Sequence, residues 1–217
     1  MEAIVLVAVL VLSVVVHEVA HAWQARREGD DTAERLGRIT LNPLPHLDVV
    51  GSLIVPLALH FSGSSFLFGW AKPVPVNPAN YRSPKWGDIR VSMAGIVSNL
   101  MLAVGFTLAL AALVRAAGAV GDLAGAGEIL RVAAYYGILI NLVLAFFNLI
   151  PIPPLDGSHV VFHFLPDDLA LRYRAMGRYG LLAMMALLFF VPEAFRYLLW
   201  PVSFLMGAAD SFIRLWT

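Results

Sequence analysis

The chain has 217 residues, of which 59% are hydrophobic and 14% are charged, and its formal net charge at pH 7 is zero. A soluble domain of this size carries roughly a quarter charged residues, so this composition predicts an integral membrane protein. The balanced charge gives no reason to expect nucleic acid as a partner. The sequence contains no cysteine, so disulfides and thiolate metal sites are excluded, and any metal must be held by His, Asp or Glu.

Residues 3–24 form the first apolar stretch, which we expect to be a retained transmembrane helix. A run of about 20 apolar residues crosses a bilayer core, and Glu2 stands where a signal peptide would begin with basic residues. The motif HEVAH interrupts this run. On an α-helix His17 and His21 lie one turn apart on one face, so both can reach one metal ion with Glu18 beside it. Buried ionisable groups are costly unless they are paired or bind metal, so the motif predicts zinc-assisted hydrolysis.

The sequence after this helix is expected to include a small β element at the membrane edge. Residues 36–41 carry strand-forming side chains and precede a turn signal. Residues 69–81, GWAKPVPVNPANY, contain prolines that forbid a helix and favour extended backbone. This segment is either a connecting loop or an extended strand that pairs with an unwound substrate by main-chain hydrogen bonds. Between the two, the apolar but interrupted residues 49–68 either span the membrane or re-enter it.

The next two spans are expected at residues 91–114 and 129–150. In the first, Asn99 stands with small residues at helical spacing, which is typical of close packing between membrane helices with an amide that bonds across the interface. The second carries Asn141 and Asn148 seven residues apart, nearly on one face of the helix. These amides are candidates for contacts with a substrate or with the groups behind a metal site.

The fold expected from these segments is an all-α membrane protein with about six transmembrane helices. Two of the six lie in residues 170–215, at 179–191 and 194–213. We expect one intramembrane domain over residues 1–217, in which residues 1–165 form the catalytic core.

The span at 129–150 ends in the run NLIPIPPLDG. Its prolines stop the helix and leave backbone groups that are tolerated at membrane depth only where they are buried in protein or line a cavity. Asp156 is therefore expected beside a cavity, and Gly157 permits a backbone angle that turns the carboxylate inward. Two imidazoles and one carboxylate, with a fourth position left to water, form the ligand set of a catalytic zinc.

A rival ligand set consists of Asp156 with His159 and His163, which are also four residues apart. This set has no nearby carboxylate to act as a base, whereas the first pair of histidines carries its own glutamate. We therefore favour the first pair. We expect His159 to line the mouth of the cavity or to hydrogen-bond a metal ligand.

Together these motifs resemble the site-2 protease family of intramembrane zinc metalloproteases. The resemblance is carried by HEVAH in the first helix, NPLPHLD after it, GWAKPVPVNP in the middle and NLIPIPPLDG downstream. It implies that one zinc ion per chain is held by His17, His21 and Asp156. It further implies that Glu18 is the general base and that Asn148 donates a hydrogen bond to the tetrahedral intermediate.

The resemblance also implies a transmembrane protein or peptide as substrate, the lipid bilayer as environment and the plasma membrane of a prokaryote as location. The family often has a proline where the segment AGIVSN has Ile96, so a kink at that point is not expected here. Two other functions stay open. One is a zinc hydrolase whose third ligand is a glutamate on a later helix, and the other is a non-catalytic metal-binding or transport protein.

Overall fold

A computed structural model describes residues 2–55, 61, 70–120, 125–190, 193 and 197–215. Its α-helices, numbered in chain order, are α1 (Glu2–Glu28), α2 (Thr32–Arg35), α3 (Pro84–Val120), α4 (Ala126–Asn148), α5 (Asp156–Phe162), α6 (Asp167–Ala175), α7 (Gly177–Phe190) and α8 (Trp200–Arg214). Short 3₁₀ turns lie at Leu44–His46 and Pro78–Asn80, and a π-helical turn lies at Val49–Ile54. The protein is therefore mostly helical, as its composition predicts.

Within the described residues, three helices are long and apolar enough to cross a membrane, namely α1, α3 and α4. They pack on one another, and an apolar core that includes Ala103, Ile138 and Val202 joins α3, α4 and α8. Other apolar side chains of the long helices point outward, as for Met101, which is 69% exposed. Outward-facing apolar side chains on helices of this length suit contact with lipid.

The prediction of about six spans is not confirmed in the part of the chain that the structure describes. The helices α7 and α8 have 14 and 15 residues, fewer than the ~20 that a spanning helix needs. The interrupted stretch at 49–68 begins with the π-helical turn, and its residues 56–60 and 62–68 lie outside the described residues. The described residues thus contain three candidate spans.

The predicted β element is not confirmed, because the described residues contain no strand. Residues 36–41 form turns and bends, and residues 70–77 have no regular secondary structure. A ladder requires regularly spaced N–H donors, but Pro73 and Pro75 have none. The N–H group of Val74, between them, donates to a side-chain carboxylate instead. The backbone here is therefore held by side chains and not by a second strand.

Asp30 ties the end of α1 to the segment that precedes α3. Its carboxylate is fully buried and accepts hydrogen bonds from the Oγ1 of Thr32, the backbone N–H of Asn77 at 2.7 Å and the Nδ2 of Asn80 at 2.8 Å. Burial opposes ionisation of this carboxyl, but the hydrogen bonds outweigh it and lower the pKa of Asp30 below its ordinary value. A charged side chain thus organises the loop around the polar end of α1.

Candidate metal centre

Two histidines of α1 and one aspartate of α5 converge on a single point. The Nε2 atoms of His17 and His21 are 2.9 Å apart. The Oδ2 atom of Asp156 lies 3.2 Å from the first of these atoms and 3.3 Å from the second. All three ligand atoms lie within 4.8 Å of one another. The structure therefore brings together the three side chains predicted to hold a metal.

The proline run after α4 explains how Asp156 reaches α1. The run ends α4 at Asn148 and the chain turns before α5 begins at Asp156. At Gly157 a Cβ atom would collide with the backbone carbonyl of Leu149. Only glycine lets the start of α5 lie this close to the end of α4. Gly157 in the motif LDG therefore allows the neighbouring Asp156 carboxylate to reach the two histidines.

Hydrogen bonds on the far side of each ring fix the direction of both imidazoles. The Nδ1 atom of His17 donates to the Oδ1 of Asn99 at 2.5 Å, and that of His21 donates to the carbonyl oxygen of Val91 at 2.7 Å. Because both partners are acceptors, each Nδ1 carries a proton and each Nε2 presents its lone pair to the cluster. This arrangement is typical of histidines that bind a metal.

The donor set fits zinc. The Oδ2 atom of Asp156 is buried and has no hydrogen-bond partner, although it lies against two imidazole nitrogens. Such a group of electron-pair donors is repulsive by itself and is satisfied by a cation. Two imidazole nitrogens and one carboxylate oxygen, with a further position open, are ligands of catalytic zinc. His17, His21 and Asp156 are therefore the residues able to hold the ion.

A chain of buried amides continues from His17 into the helix bundle. The Nδ2 of Asn99 donates to the Oδ1 of Asn141 at 2.7 Å, and the Nδ2 of Asn141 donates to the Oγ of Ser13 at 2.8 Å. The hydroxyl of Ser13 donates in turn to the carbonyl of Val9. The three polar side chains are 0% exposed. Asn99 and Asn141 thus belong to a hydrogen-bond network that begins at the predicted ligand His17. In this network every donor points away from the metal cluster.

Gly95 of α3 provides the space in which the two rings lie. A Cβ atom at this position would be 2.5 Å from the Cε1 of His17 and 2.5 Å from the Nε2 of His21. Real Cβ atoms do not approach other atoms so closely, so any side chain here would displace the rings or the helix. The small residues of α3 serve the site as well as the packing between helices.

Glu18 is half-buried next to His17. Its Oε2 atom accepts a hydrogen bond of 2.7 Å from the backbone N–H of Val74. The carbonyl of Lys72, two residues earlier, accepts a hydrogen bond of 2.8 Å from the Nη2 of Arg38. The segment 70–77 is thus fixed across the side of α1 that carries the predicted base.

The remaining predicted site residues, Asn148 and His159, and the rival ligand His163 bond to groups other than the three clustered side chains. The Nδ2 of Asn148 donates to the carbonyl of Leu144 at 2.9 Å. His159 and His163 both contact the Oδ2 of Asp88, at 3.1 Å and 2.8 Å. The rival ligand set is therefore not assembled, because the two later histidines bind a different carboxylate from Asp156.

Several residues that make these contacts do not stand out in the sequence. These residues are Ser13, Val74, Asp88 and Val91, none of which was predicted to belong to the site. A signal was available for the members of α3, because residues 88, 91, 95 and 99 follow helical spacing. The sequence gives a weaker signal for Val74, because its contact is made by the backbone N–H, which every residue except proline has.

Comparison with known proteins gives a consistent assignment. A family model described as "Peptidase family M50" matches residues 110–191. The chain is 38% identical to "Putative zinc metalloprotease YwhC" of Bacillus subtilis (strain 168), over 98% of this chain and 90% of that protein. It is 30% identical to "Putative zinc metalloprotease Rip2" of Mycolicibacterium smegmatis (strain ATCC 700084 / mc(2)155), over 99% of this chain and 81% of that protein. No solved structure matches significantly.

Proposed function

The chain belongs to peptidase family M50, the site-2 protease family of zinc metalloproteases, and from this premise we propose that it hydrolyses peptide bonds within or next to transmembrane segments of other membrane proteins. The observation that supports the proposal is the position of the cluster along α1. His17 and His21 belong to α1, a helix long and apolar enough to cross a membrane. With a rise of 1.5 Å per residue, His21 lies roughly 10 Å from the polar end of that helix. A peptide reaching these side chains must itself enter the membrane.

The ligands of the proposed centre are His17, His21 and Asp156, which would hold one zinc ion per chain. Zinc in such a site polarises a carbonyl group and makes water more acidic. Glu18 takes the proton from the attacking water and passes it to the nitrogen of the leaving amine. The Val74 N–H holds one oxygen of this carboxylate and leaves the other oxygen to accept the proton.

Asn148 is the residue we assign to the developing oxyanion. Its side-chain amide has two N–H groups, and one of them donates to the carbonyl of Leu144. The second can donate to the oxygen that becomes negative during attack. In comparable sites one such donor contributes about 3 kcal/mol.

The segment 70–77 is the surface on which we place the substrate. It crosses α1 beside Glu18 and is anchored through Val74 and Lys72. A substrate helix hides its own carbonyl groups, so it must unwind before attack, and an extended peptide alongside this segment would bring its backbone to Glu18. Segments with weak helix propensity should therefore be preferred as substrates.

The proposed location is the plasma membrane of a prokaryote, in which the chain is a multi-pass protein. The presence of three candidate spans supports this topology, and the two relatives come from bacteria. The partners that follow from it are the lipid bilayer and a membrane-protein substrate.

The proposal is tested with the full chain reconstituted in liposomes together with a labelled single-span protein. We expect cleavage that a zinc chelator stops and that added zinc restores. Glu18→Gln should retain about one zinc per chain by elemental analysis and lose cleavage, because it keeps the ligands and removes the base. Glu128→Gln is the matched control, since Glu128 lies at the start of α4 with its side chain 70% exposed.

Three outcomes would contradict the proposal or one of its assignments. If the wild-type chain binds zinc but cleaves no membrane substrate, the protein is a metal-binding or transport protein. If Glu18→Gln cleaves at the wild-type rate, Glu18 is not the base. Asp156→Ala completes the test, because retention of tightly bound zinc by this variant would remove Asp156 from the ligand set.

A further inference from the structure

Helix α3 contacts the site through a single face. Asp88, Val91, Gly95 and Asn99 follow one another at intervals of three or four residues, so they form one stripe along the helix. Asn99 accepts the hydrogen bond from His17, and Val91 accepts the hydrogen bond from His21. Gly95 makes room for both rings. The function of the remaining member, Asp88, is not explained by the reaction itself.

Asp88 binds the two histidines that the proposed reaction does not use. Its side chain is only 5% exposed, and its Oδ2 lies 3.1 Å from the Nδ1 of His159 and 2.8 Å from the Nε2 of His163. Both rings can donate to the carboxylate without being charged. A buried carboxylate is stable only when such donors satisfy it, so this contact holds α5 firmly against α3.

The same face of α5 carries the third ligand. Asp156, His159 and His163 are spaced by three and then four residues, and His163 directly follows the last residue of α5 with helical backbone angles, so the three lie on one stripe. The helix α5 has 7 residues, and an isolated helix shorter than about 12 residues is marginal in stability. Its rotation and height are therefore set by its contacts and not by its own propensity.

We propose that Asp88 is a positioning residue for the metal ligand Asp156. Through His159 and His163 it fixes α5 so that the Oδ2 of Asp156 faces the two Nε2 atoms of α1. This inference rests on the proposed function and deepens it, because α3 then orients all three ligands. Loss of Asp88 releases only the carboxylate ligand and leaves His17 and His21 held by Asn99 and Val91.

The test uses the purified full chain with Asp88→Ala, Asp88→Asn and the control Asp31→Asn. Asp31 is a suitable control because its only ion pair in the described structure is the exposed one with Arg35. Zinc affinity is measured by competition with a chelator, and the ligand field is measured from the absorption spectrum of the cobalt(II)-substituted protein. The kcat and KM for a membrane substrate are measured in parallel.

For Asp88→Ala we expect zinc affinity to fall by roughly 10- to 100-fold, as for other residues that orient metal ligands. The cobalt spectrum should change in intensity, and kcat should fall while KM stays near its wild-type value. Asp88→Asn keeps one acceptor oxygen for the two histidines, so it should recover part of the zinc affinity and part of the spectrum. Asp31→Asn should match the wild type.

A wild-type zinc affinity and cobalt spectrum in Asp88→Ala would overturn the inference, even if the variant is less stable, since Asp88 would then serve the fold alone. If Asp88→Ala does not fold, the double variant His159→Ala, His163→Ala, which removes both donors to Asp88, decides the question by the same measurements. Zinc affinity does not depend on cleavage. A wild-type chain that binds zinc without cutting membrane proteins would therefore refute the proposed function and still leave this inference testable.

Discussion

The Nδ1 atom of His17 donates a hydrogen bond of 2.5 Å to the Oδ1 of Asn99, which lies 82 positions later in the chain. Asn99 is held in turn by Asn141, so the orientation of the ring is set by a buried network and not by α1 alone. The role of Asn99 in orienting the ring can be tested by replacing Asn99.

Replacing Asn99 by alanine should weaken zinc binding. The Nδ1 of His17 loses its acceptor, so the ring is free to turn and to change tautomer. We expect zinc affinity to fall by roughly 10- to 100-fold. Asn99→Asp keeps an acceptor for His17 but loses the Nδ2 donor to Asn141, so it should retain more of the zinc affinity than Asn99→Ala. The exposed Asn42→Ala is the control, and an unchanged affinity in Asn99→Ala, measured by chelator competition, would contradict the role.

Gly95→Ala should abolish zinc binding or reduce it at least 100-fold. The new methyl group would occupy the space of both imidazole rings, where a Cβ atom would lie 2.5 Å from ring atoms. Gly105→Ala in the same helix meets nothing within 4 Å and should be neutral or stabilise the protein by up to about 1 kcal/mol. Zinc content and thermal unfolding measure both effects. Equal behaviour of the two variants would argue against close approach at Gly95.

Val74→Pro should slow cleavage roughly tenfold without loss of zinc. Proline has no N–H group, so Glu18 loses the donor that holds its carboxylate. A general base contributes about 10²–10⁴-fold to the reaction rate, and a misplaced base loses part of this contribution. Val76→Pro is a control in the same segment. Single-turnover cleavage and zinc content are the measurements, and a Val74→Pro enzyme as fast as Val76→Pro would show that this contact does not position the base.

Asp30→Asn should destabilise the protein by about 2 kcal/mol at pH 7, since hydrogen bonds to a buried charged group are replaced by weaker ones. The pKa of Asp30 is lower in the folded chain than its ordinary value of 3.8. Its contribution to stability is therefore fully present above about pH 4 and is lost as the pH falls through the folded value.

Thermal unfolding of wild type and Asp30→Asn between pH 7 and the acid limit of folding would measure this contribution. The difference between the two proteins should shrink below pH 4. The exposed Asp31→Asn controls for loss of one charge. A difference that is constant over the whole pH range would mean that Asp30 acts through packing and not through its charge.

The long apolar helices and the meeting of His17, His21 and Asp156 could be predicted from the sequence. The first follows from composition, and the second follows from two local signals, HEVAH and the proline run before Asp156. The family resemblance is confirmed by the relatives. The roles in catalysis remain predictions.

The failures share a physical cause. The predicted β element depended on the backbone donors of residues 69–81, but the N–H of Val74 binds Glu18, 56 positions away. Asp88 was overlooked because its partners lie 71 and 75 positions away. Contacts between such distant residues are decided by tertiary packing, and the local hydrophobic periodicity of the sequence does not indicate them.

The two halves of the metal cluster come from opposite parts of the chain, with the histidines in the first helix and Asp156 beyond the fourth. During synthesis α1 therefore leaves the ribosome long before the third ligand exists. An unfinished chain holds an incomplete site, so hydrolytic competence arises only at a late stage of biogenesis.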